Sequence, residues 1–495
     1  MHGADFLLLD PAKAPTRGLT VWLTGELRAA ITDGRLAPGA TLPATRVLAR
    51  ELGVSRGVVV DAYQRLADEG LTDGRPGTGT RVLAFGVPQS PDPAAQPSGT
   101  AQRPATGAPA AVDWTCAVFP MQWGASAEID LSPGVPDLSG FPRAAWLRAE
   151  KAVLSQAGTA DLSYPDPRGN PQLREALSGW LAGRRGLRVG PDDVIVVAGV
   201  AQSLALLARV LRERDNLDRV AVEDPGSRGS RDELAHWGLR PVPVPVDDQG
   251  LQVDELERTG ADAVLLTPAH QFPTGVVLGA QRRRELVRWA AAGERLIIED
   301  DYDAEYRYDR PPVPALQGAA PTLVAYTGST SKTLAPGMRL GWLVPPRRLQ
   351  ADVVEAKHAS DLGCPVLPQL VLAHLIASGE MERHIRTVRA RQRIRRDALL
   401  AGLRESLPQA RVAGVAAGLH LLITFPGDVD DAELAARILK AGVLVHPLSL
   451  HRVVPGPPGL ILGYAAHTPD QLREAARRIA TALSSVTPAR AGRRA

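Results

Sequence analysis

The sequence predicts a multidomain chain: a small N-terminal α+β unit of winged helix-turn-helix type, then a large α/β body with a mostly parallel central sheet and a small C-terminal α+β part. Three observations carry this expectation. Residues 14–85 run helix, helix, tight turn, helix, hairpin; residues 86–112 lose every hydrophobic period; and from residue 128 to 487 strands alternate with helices, as in a parallel sheet covered on both faces. At 495 residues the chain is too long for one compact core, so several folding units are expected.

In the N-terminal unit, apolar residues recur at helical spacing in LTVWLTGELRAAI, and Gly34, Pro38 and Gly39 end that helix. TRVLAREL and SRGVVVDAYQRLADE follow as two further helices separated only by Gly53 and Val54. After Gly70, LTDGRPGTGTRVL carries an Asp-Gly pair and two more glycines, which reads as a hairpin. In this geometry the second helix of the pair enters the major groove and its first turn reaches base edges. Ser55 is placed to cap that helix, and Arg56 in its first turn can meet guanine O6 and N7 or a phosphate. Arg46 on the preceding helix, and Arg75, Gly77, Gly79 and Thr80 in the wing, are placed for backbone or minor-groove contact.

The next stretch, GVPQSPDPAAQPSGTAQRPATGAPAAV, is dominated by Pro, Ala, Gly, Ser, Thr and Gln, and we assign residues 86–127 to a linker. A flexible chain of this kind spans roughly 30 Å. Beyond it, strands are expected at DVIVVAG, RVAVEDPG, RPVPVPV, AVLLTP, RLIIEDDY and TLVAYTGSTSK, with helices through QSLALLARVL, DELERTG and RRRELVRWAAAG. Sheets of this kind hold ligands at the carboxyl edges of their strands. From about residue 380 the long basic helix MERHIRTVRARQRIRRDALLAGL opens a smaller α+β part that includes GLHLLITF and ends in QLREAARRIATALS.

Bulk properties narrow the setting. Apolar residues make up 44% of the chain, charged residues 22%, and the net charge is +3, ordinary for a soluble globular protein. Between Lys13 and Arg81 ten basic residues face seven acidic ones, a margin too small to decide for DNA alone. Cys116 and Cys364 stand far apart without a CxxC or Cys/His cluster, so neither a disulfide framework nor a metal site is expected, and a reducing cytoplasm fits. MHGADFLLLD has an acidic residue ahead of only four apolar ones, and no window reaches eighteen, so neither export nor membrane insertion is expected.

Two segments carry chemistry. In GSTSKTLAPGMRLGW, Lys332 can form a Schiff base with an aldehyde cofactor, Ser329 and Ser331 can donate to its phosphate, and Arg339 can pair with that phosphate through two parallel bonds. IIEDDY ends a buried strand in consecutive carboxylates, which are costly to bury unless they meet a cation such as a protonated pyridine nitrogen.

The order GRLxPGxxLP, LGVSR, AYxxLxxEG and GxGT resembles the winged helix of the GntR family of bacterial repressors. That resemblance implies that Arg46, Ser55, Arg56, Gly57, Arg75, Gly77, Gly79 and Thr80 contact a double-stranded operator. YPDPRGNPQLREAL, EDPG, TPAHQFPTGV, EDDYDAEYRY and SKTLAPGMRLGW resemble the fold type I aminotransferases, and the whole is similar to the MocR subfamily of GntR regulators. It implies a pyridoxal 5'-phosphate (PLP) site in which Asp300 meets the pyridine nitrogen, Tyr302 the phenolic oxygen and Lys332 the aldehyde. It further implies a head-to-tail homodimer in which Tyr164 reaches the phosphate of the partner subunit. His270 reads equally as a structural histidine or as a ligand contact.

The sequence departs from that pattern at four places. Val200 and Ala201 follow Gly199 where the family has Ser-Gln, Ser227 stands where an aromatic ring stacks on the pyridine, and Ile461 replaces the arginine that holds a substrate carboxylate. Without that arginine orientation suffers, which argues against aminotransferase turnover, and no catalytic residue is assigned. The expectation is a regulator whose operator binding responds to PLP or to a PLP–amine adduct. A working aminotransferase carrying a DNA-binding module, and a DNA-binding dimer with a cofactor-free scaffold, stay open as alternatives.

Overall fold

The computed structural model describes residues 15–83 and 127–484, apart from 16–17, 33–34, 37–38, 76–78, 309–312, 415–416 and 426–428. Residues 86–126 of the expected linker, and Gly77 of the expected wing contacts, lie outside the described residues.

The N-terminal head contains the helices Leu19–Thr32, Thr45–Glu51 and Arg56–Asp68 and a three-stranded sheet of β1 (Thr41–Leu42), β2 (Thr72–Arg75) and β3 (Gly79–Val82), with β3 in the middle. Leu23, Leu27, Leu48, Val59 and Leu66 have no exposure and form its core. These positions follow the helical period read from the sequence. β1 was not anticipated, because two residues are too few to show a period.

Past β4 (Ile129–Asp130), the large sheet comprises β5 (Ile195–Val197), β6 (Arg219–Asp224), β7 (Arg240–Asp247), β8 (Gly250–Leu251), β9 (Ala263–Leu266), β10 (Leu296–Asp301), β11 (Val324–Ser329) and β12 (Gly341–Val344). Their order is β5-β12-β11-β10-β9-β6-β7-β8. The pairs from β11 through β7 are all parallel, whereas β12 runs antiparallel to both neighbours and β8 folds back on β7. β9, β10 and β11 are buried along their whole length, as expected of strands covered on both faces. The helices Arg228–His236 and Arg347–Asp361, which the sequence reading did not assign, help to cover it.

The small part has a four-stranded antiparallel sheet in the order β13 (Arg411–Ala413), β14 (His420–Thr424), β17 (Gly459–Gly463), β16 (His446–Pro447). β15 (Val443–Leu444) pairs in parallel with β4, so Ile129 and Leu131 join Leu399, Leu421 and Leu462 in one core. The small part therefore includes the start of the body as well as the residues beyond 380. A long-range pairing of two-residue strands leaves no local pattern from which to foresee it.

Candidate functional site

β10 ends in Asp301 and β11 in Ser329, side by side. After β5, Gly199 turns the chain into the helix Val200–Glu213, which starts beside them. A cavity of about 420 Å³ opens at this edge, and its walls include Lys332, Asp300, Tyr302, Ser329, Ser331 and Arg339. Six of the seven cofactor residues expected from the sequence thus meet in one place. Tyr164 lies outside this cavity and is 88% exposed.

The electrostatics suit a cationic ring above an acid. Asp300 is buried, and its Oδ1 has no hydrogen-bond partner among the described residues. Burial, followed by repulsion from Asp301 and Asp303, raises its pKa to about 7. An orphan carboxylate oxygen of this kind is what a protonated pyridine nitrogen would satisfy. Lys332 donates from Nζ to the carbonyl of Gly134, and burial holds its ammonium below the usual lysine range. A lysine that loses its proton more easily is a better nucleophile toward an aldehyde.

Tyr302 is oriented by a residue whose role the sequence left open. The Nδ1 of His270 lies 3.0 Å from the Tyr302 hydroxyl and 2.9 Å from Asp303 Oδ2. Burial first, then the charges of Asp303 and Asp300, raises the Tyr302 hydroxyl far above the usual tyrosine range, so it remains a hydrogen-bond donor. His270, Asp303 and His420 bring potential metal-ligating atoms within 4.8 Å of one another. The bond between His270 and Asp303 accounts for the approach of two of them. His420 lines the cavity itself, and burial lowers it to about 3, so it is neutral.

The Gly199 end of the cavity explains two of the departures. Val200 and Ala201 line the cavity, and they open a fourteen-residue helix whose N-cap, Gly199, makes no side-chain bond to it. The first amides of a helix have no intrahelical partner and favour an anion, so the backbone still offers donors that the missing side chains do not. Gly199 sits at φ +103°, and a Cβ there would lie 3.3 Å from an Arg339 terminal nitrogen. Arg339 itself adopts the left-handed conformation (φ 49°, ψ 44°). Ser227 does not replace a stacking ring. Its hydroxyl caps the helix Arg228–His236 by accepting from Ser230 N at 3.2 Å.

Ile461 is fully buried with Leu422 and Leu448 and pairs with Leu422 and His446 in the sheet. The place expected of a carboxylate-binding arginine is an apolar cluster. Phe272 and His420, with ring centroids 5.1 Å apart, form part of the cavity wall on the side of the small domain. Sequence reasoning did not assign either, although both lie in quoted motifs, HQFPTG and GLHLLITF.

In the head, Arg46, Ser55, Arg56 and Gly57 are all exposed. Ser55 caps the helix Arg56–Asp68 by accepting from Val58 N at 3.4 Å. Arg75 and Gly79 face each other across β2 and β3, with Thr80 next along β3.

The raised Asp300 makes a prediction. Its usual value is 3.8 and its folded value about 7, so the fold favours its protonated form. The stability it contributes is full below the unfolded value and is lost as pH rises through about 7. Glu223 and Glu299, also raised to about 7 by burial, act in the same direction. The melting temperature of cofactor-free protein should drop by a few degrees between about pH 6 and pH 8, and the drop should shrink in Asp300→Asn. Equal drops in calorimetry would exclude Asp300 as a contributor.

Comparison with known proteins agrees with this fold. Residues 127–479 match the family "Aminotransferase class I and II" and residues 22–82 match "Bacterial regulatory proteins, gntR family". The chain is 33% identical over 479 residues to the HTH-type pyridoxine biosynthesis transcriptional regulator PdxR of Corynebacterium glutamicum, covering 96% of this chain and 97% of that protein. It is 32% identical over 453 residues to the probable rhizopine catabolism regulatory protein MocR of Rhizobium meliloti, covering 91% and 90%. Among solved structures, Pyrococcus horikoshii kynurenine aminotransferase superposes with a TM-score of 0.68 at 27% identity, covering 74% of this chain and 93% of that one. With a winged helix of GntR type joined to a fold type I aminotransferase-like body, the chain belongs to the MocR-type GntR regulators.

Proposed function

We propose that this chain is a cytoplasmic, dimeric transcription regulator whose hold on a double-stranded operator is set by PLP, or by PLP joined to an amine effector, in the body. The observation that carries this reading is the single cavity that gathers Lys332, Asp300, Tyr302, Ser329, Ser331 and Arg339 in a chain that also has a winged helix. When bound, PLP supplies an electrophilic aldehyde on an electron-withdrawing ring. Lys332 provides the amine for that aldehyde, and Asp300 holds the ring nitrogen. Tyr302, oriented by His270, donates to the phenolic oxygen. Ser329, Ser331, Arg339 and the first amides of the helix Val200–Glu213 hold the phosphate, with Tyr164 reaching the partner's site.

The apolar surroundings of Ile461 favour a sensor over an aminotransferase. A carboxylate left without a bidentate partner is poorly oriented for proton transfer. In the head, Arg46, Ser55, Arg56 and Gly57 meet the operator together with the wing residues Arg75, Gly77, Gly79 and Thr80.

A gel-shift titration of DNA upstream of the gene, with and without PLP, tests the reading. The operator dissociation constant should change roughly 5- to 150-fold on adding PLP, the usual range for coupled sites. The same preparation should convert no 2-oxoacid when given amino acids. An operator affinity indifferent to PLP would overturn the sensor, and steady turnover would favour the enzyme.

A further inference from the structure

The strand that carries Asp300 has a second buried face. Glu299, Asp300 and Asp301 are 0, 8 and 7% exposed, and successive side chains on a strand point to opposite sides. Asp300 faces the cofactor cavity, so Glu299 and Asp301 face away from it. There Asp301 is paired with Nε of Arg185, itself 2% exposed, and accepts from the Tyr326 hydroxyl at 2.6 Å. Glu299 accepts from the amides of Leu316 and Gln317 at 3.1 and 3.2 Å.

A second buried arginine lies beyond them. Arg283, 3% exposed, donates to the carbonyl of Pro314, and its Nε has no partner among the described residues. Burial lowers its pKa, and the charges of Glu299, on the back of β10, and of Glu69, in the head, act against that shift. Glu69 is the C-cap of the helix Arg56–Asp68 and is held in a fork by Arg28, at 2.7 Å for both bonds. The next residue is a point where head and body touch. Arg284 donates to the Gly70 carbonyl at 3.3 Å, and a Cβ on Gly70, at φ +74°, would come within 2.8 Å of the Ala280 carbonyl. Arg28, Glu69, Arg283, Pro314 and Leu316 line one small cavity at this junction.

We propose that Arg283 is a positioning residue, shared between the rear of the cofactor strand and the end of the recognition helix, through which occupancy of the cofactor site is passed to the head. The proposal rests on the regulatory reading above and names its route. A cation on Asp300 lowers the negative charge crowding β10, where burial and then the charge of Asp301 raise Glu299, and so favours the ionised form of Glu299. Arg283 is then drawn toward the strand and away from Glu69, and the docking of Gly70 on the helix Ala280–Ala292 loosens. A buried charge between two carboxylates cannot shift its balance toward one of them without moving, because burying it far from both is costly.

Hydrogen exchange on the full-length chain tests this. The amides of Glu69, Gly70 and Leu71, bonded to the carbonyls of Arg65, Ala67 and Leu66, report the docking, and PLP alone is the probe. In the parent, PLP should speed their exchange about threefold or more. Arg283→Met should bind PLP with an unchanged spectrum, exchange these amides rapidly with or without it, and lose the PLP dependence of operator affinity. Arg283→Lys, which keeps the charge, should recover part of both responses, a rescue that a merely structural role would not give. Glu69→Gln provides the same test from the head side if Arg283→Met fails to fold. A folded, PLP-binding Arg283→Met or Glu69→Gln that retains the parent's response would overturn the proposal. So would a parent in which operator affinity follows PLP while these amides do not. If the amides respond to PLP while operator affinity does not, the link stands and the regulatory reading fails.

Discussion

Lys332→Ala should leave a folded protein without the near-visible absorbance that PLP gives to the parent. Lys332 brings the sole lysine amine to the described walls of the cavity, and burial keeps its proton loosely held, so no neighbour can take over its bond to the aldehyde. The loss should be nearly complete rather than graded. Borohydride reduction followed by mass spectrometry should place the pyridoxyl mass on the peptide containing Lys332 in the parent and on no peptide in the variant. Operator affinity in the variant should become independent of PLP. A variant that keeps the parent's spectrum would refute the assignment of Lys332, whatever happens to DNA binding.

Arg56→Ala should show the opposite separation, with operator binding lost and the cofactor spectrum retained. Arg56 is exposed in the first turn of the helix behind the Ser55 cap, the turn that enters the major groove in this motif. A bidentate arginine–guanine contact carries roughly 1–3 kcal/mol of discrimination, so affinity for the operator should drop about tenfold or more. Comparing salt dependence distinguishes the two possible contacts. If Arg56 meets a phosphate, the slope of log affinity against log salt should fall by about one and affinity should weaken on all sequences alike. If it reads a base, the operator alone should suffer. Equal operator affinity for variant and parent would remove Arg56 from the contact set.

The residues that carry local signals were legible in the sequence. Ser329, Ser331, Lys332 and Arg339 lie within one short segment, and Asp300 and Tyr302 at the end of one strand, so nearest-neighbour geometry is nearly enough to place them together. The head was legible for the same reason, because its helices keep a clear period; its hairpin was foreseen as well, although the Asp73-Gly74 pair lies within β2 and not at the turn. What the sequence could not show depends on residues brought together from afar. IIEDDY was read as carboxylates awaiting one cation. The fold divides them, leaving Asp300 to the cavity and giving Asp301 to Arg185, more than a hundred residues earlier in the chain. The orientation of Tyr302 by His270, the antiparallel insertion of β12 and the pairing of β4 with β15 are of the same kind. Val200 and Ala201 show a further limit, since the missing side chains were visible but the helix amides behind them were not.

Arg339 holds its guanidinium beside Gly199 from a backbone conformation that residues with a Cβ rarely adopt. Folding and ligand capture therefore pull in opposite directions at this position. A glycine there would relax the turn and make the empty body easier to assemble, yet it would delete the charge proposed to hold the phosphate. In a lineage freed from the need to sense the vitamin, this position should be among the first to drift, and its persistence in a family member would mark the pocket as still in use.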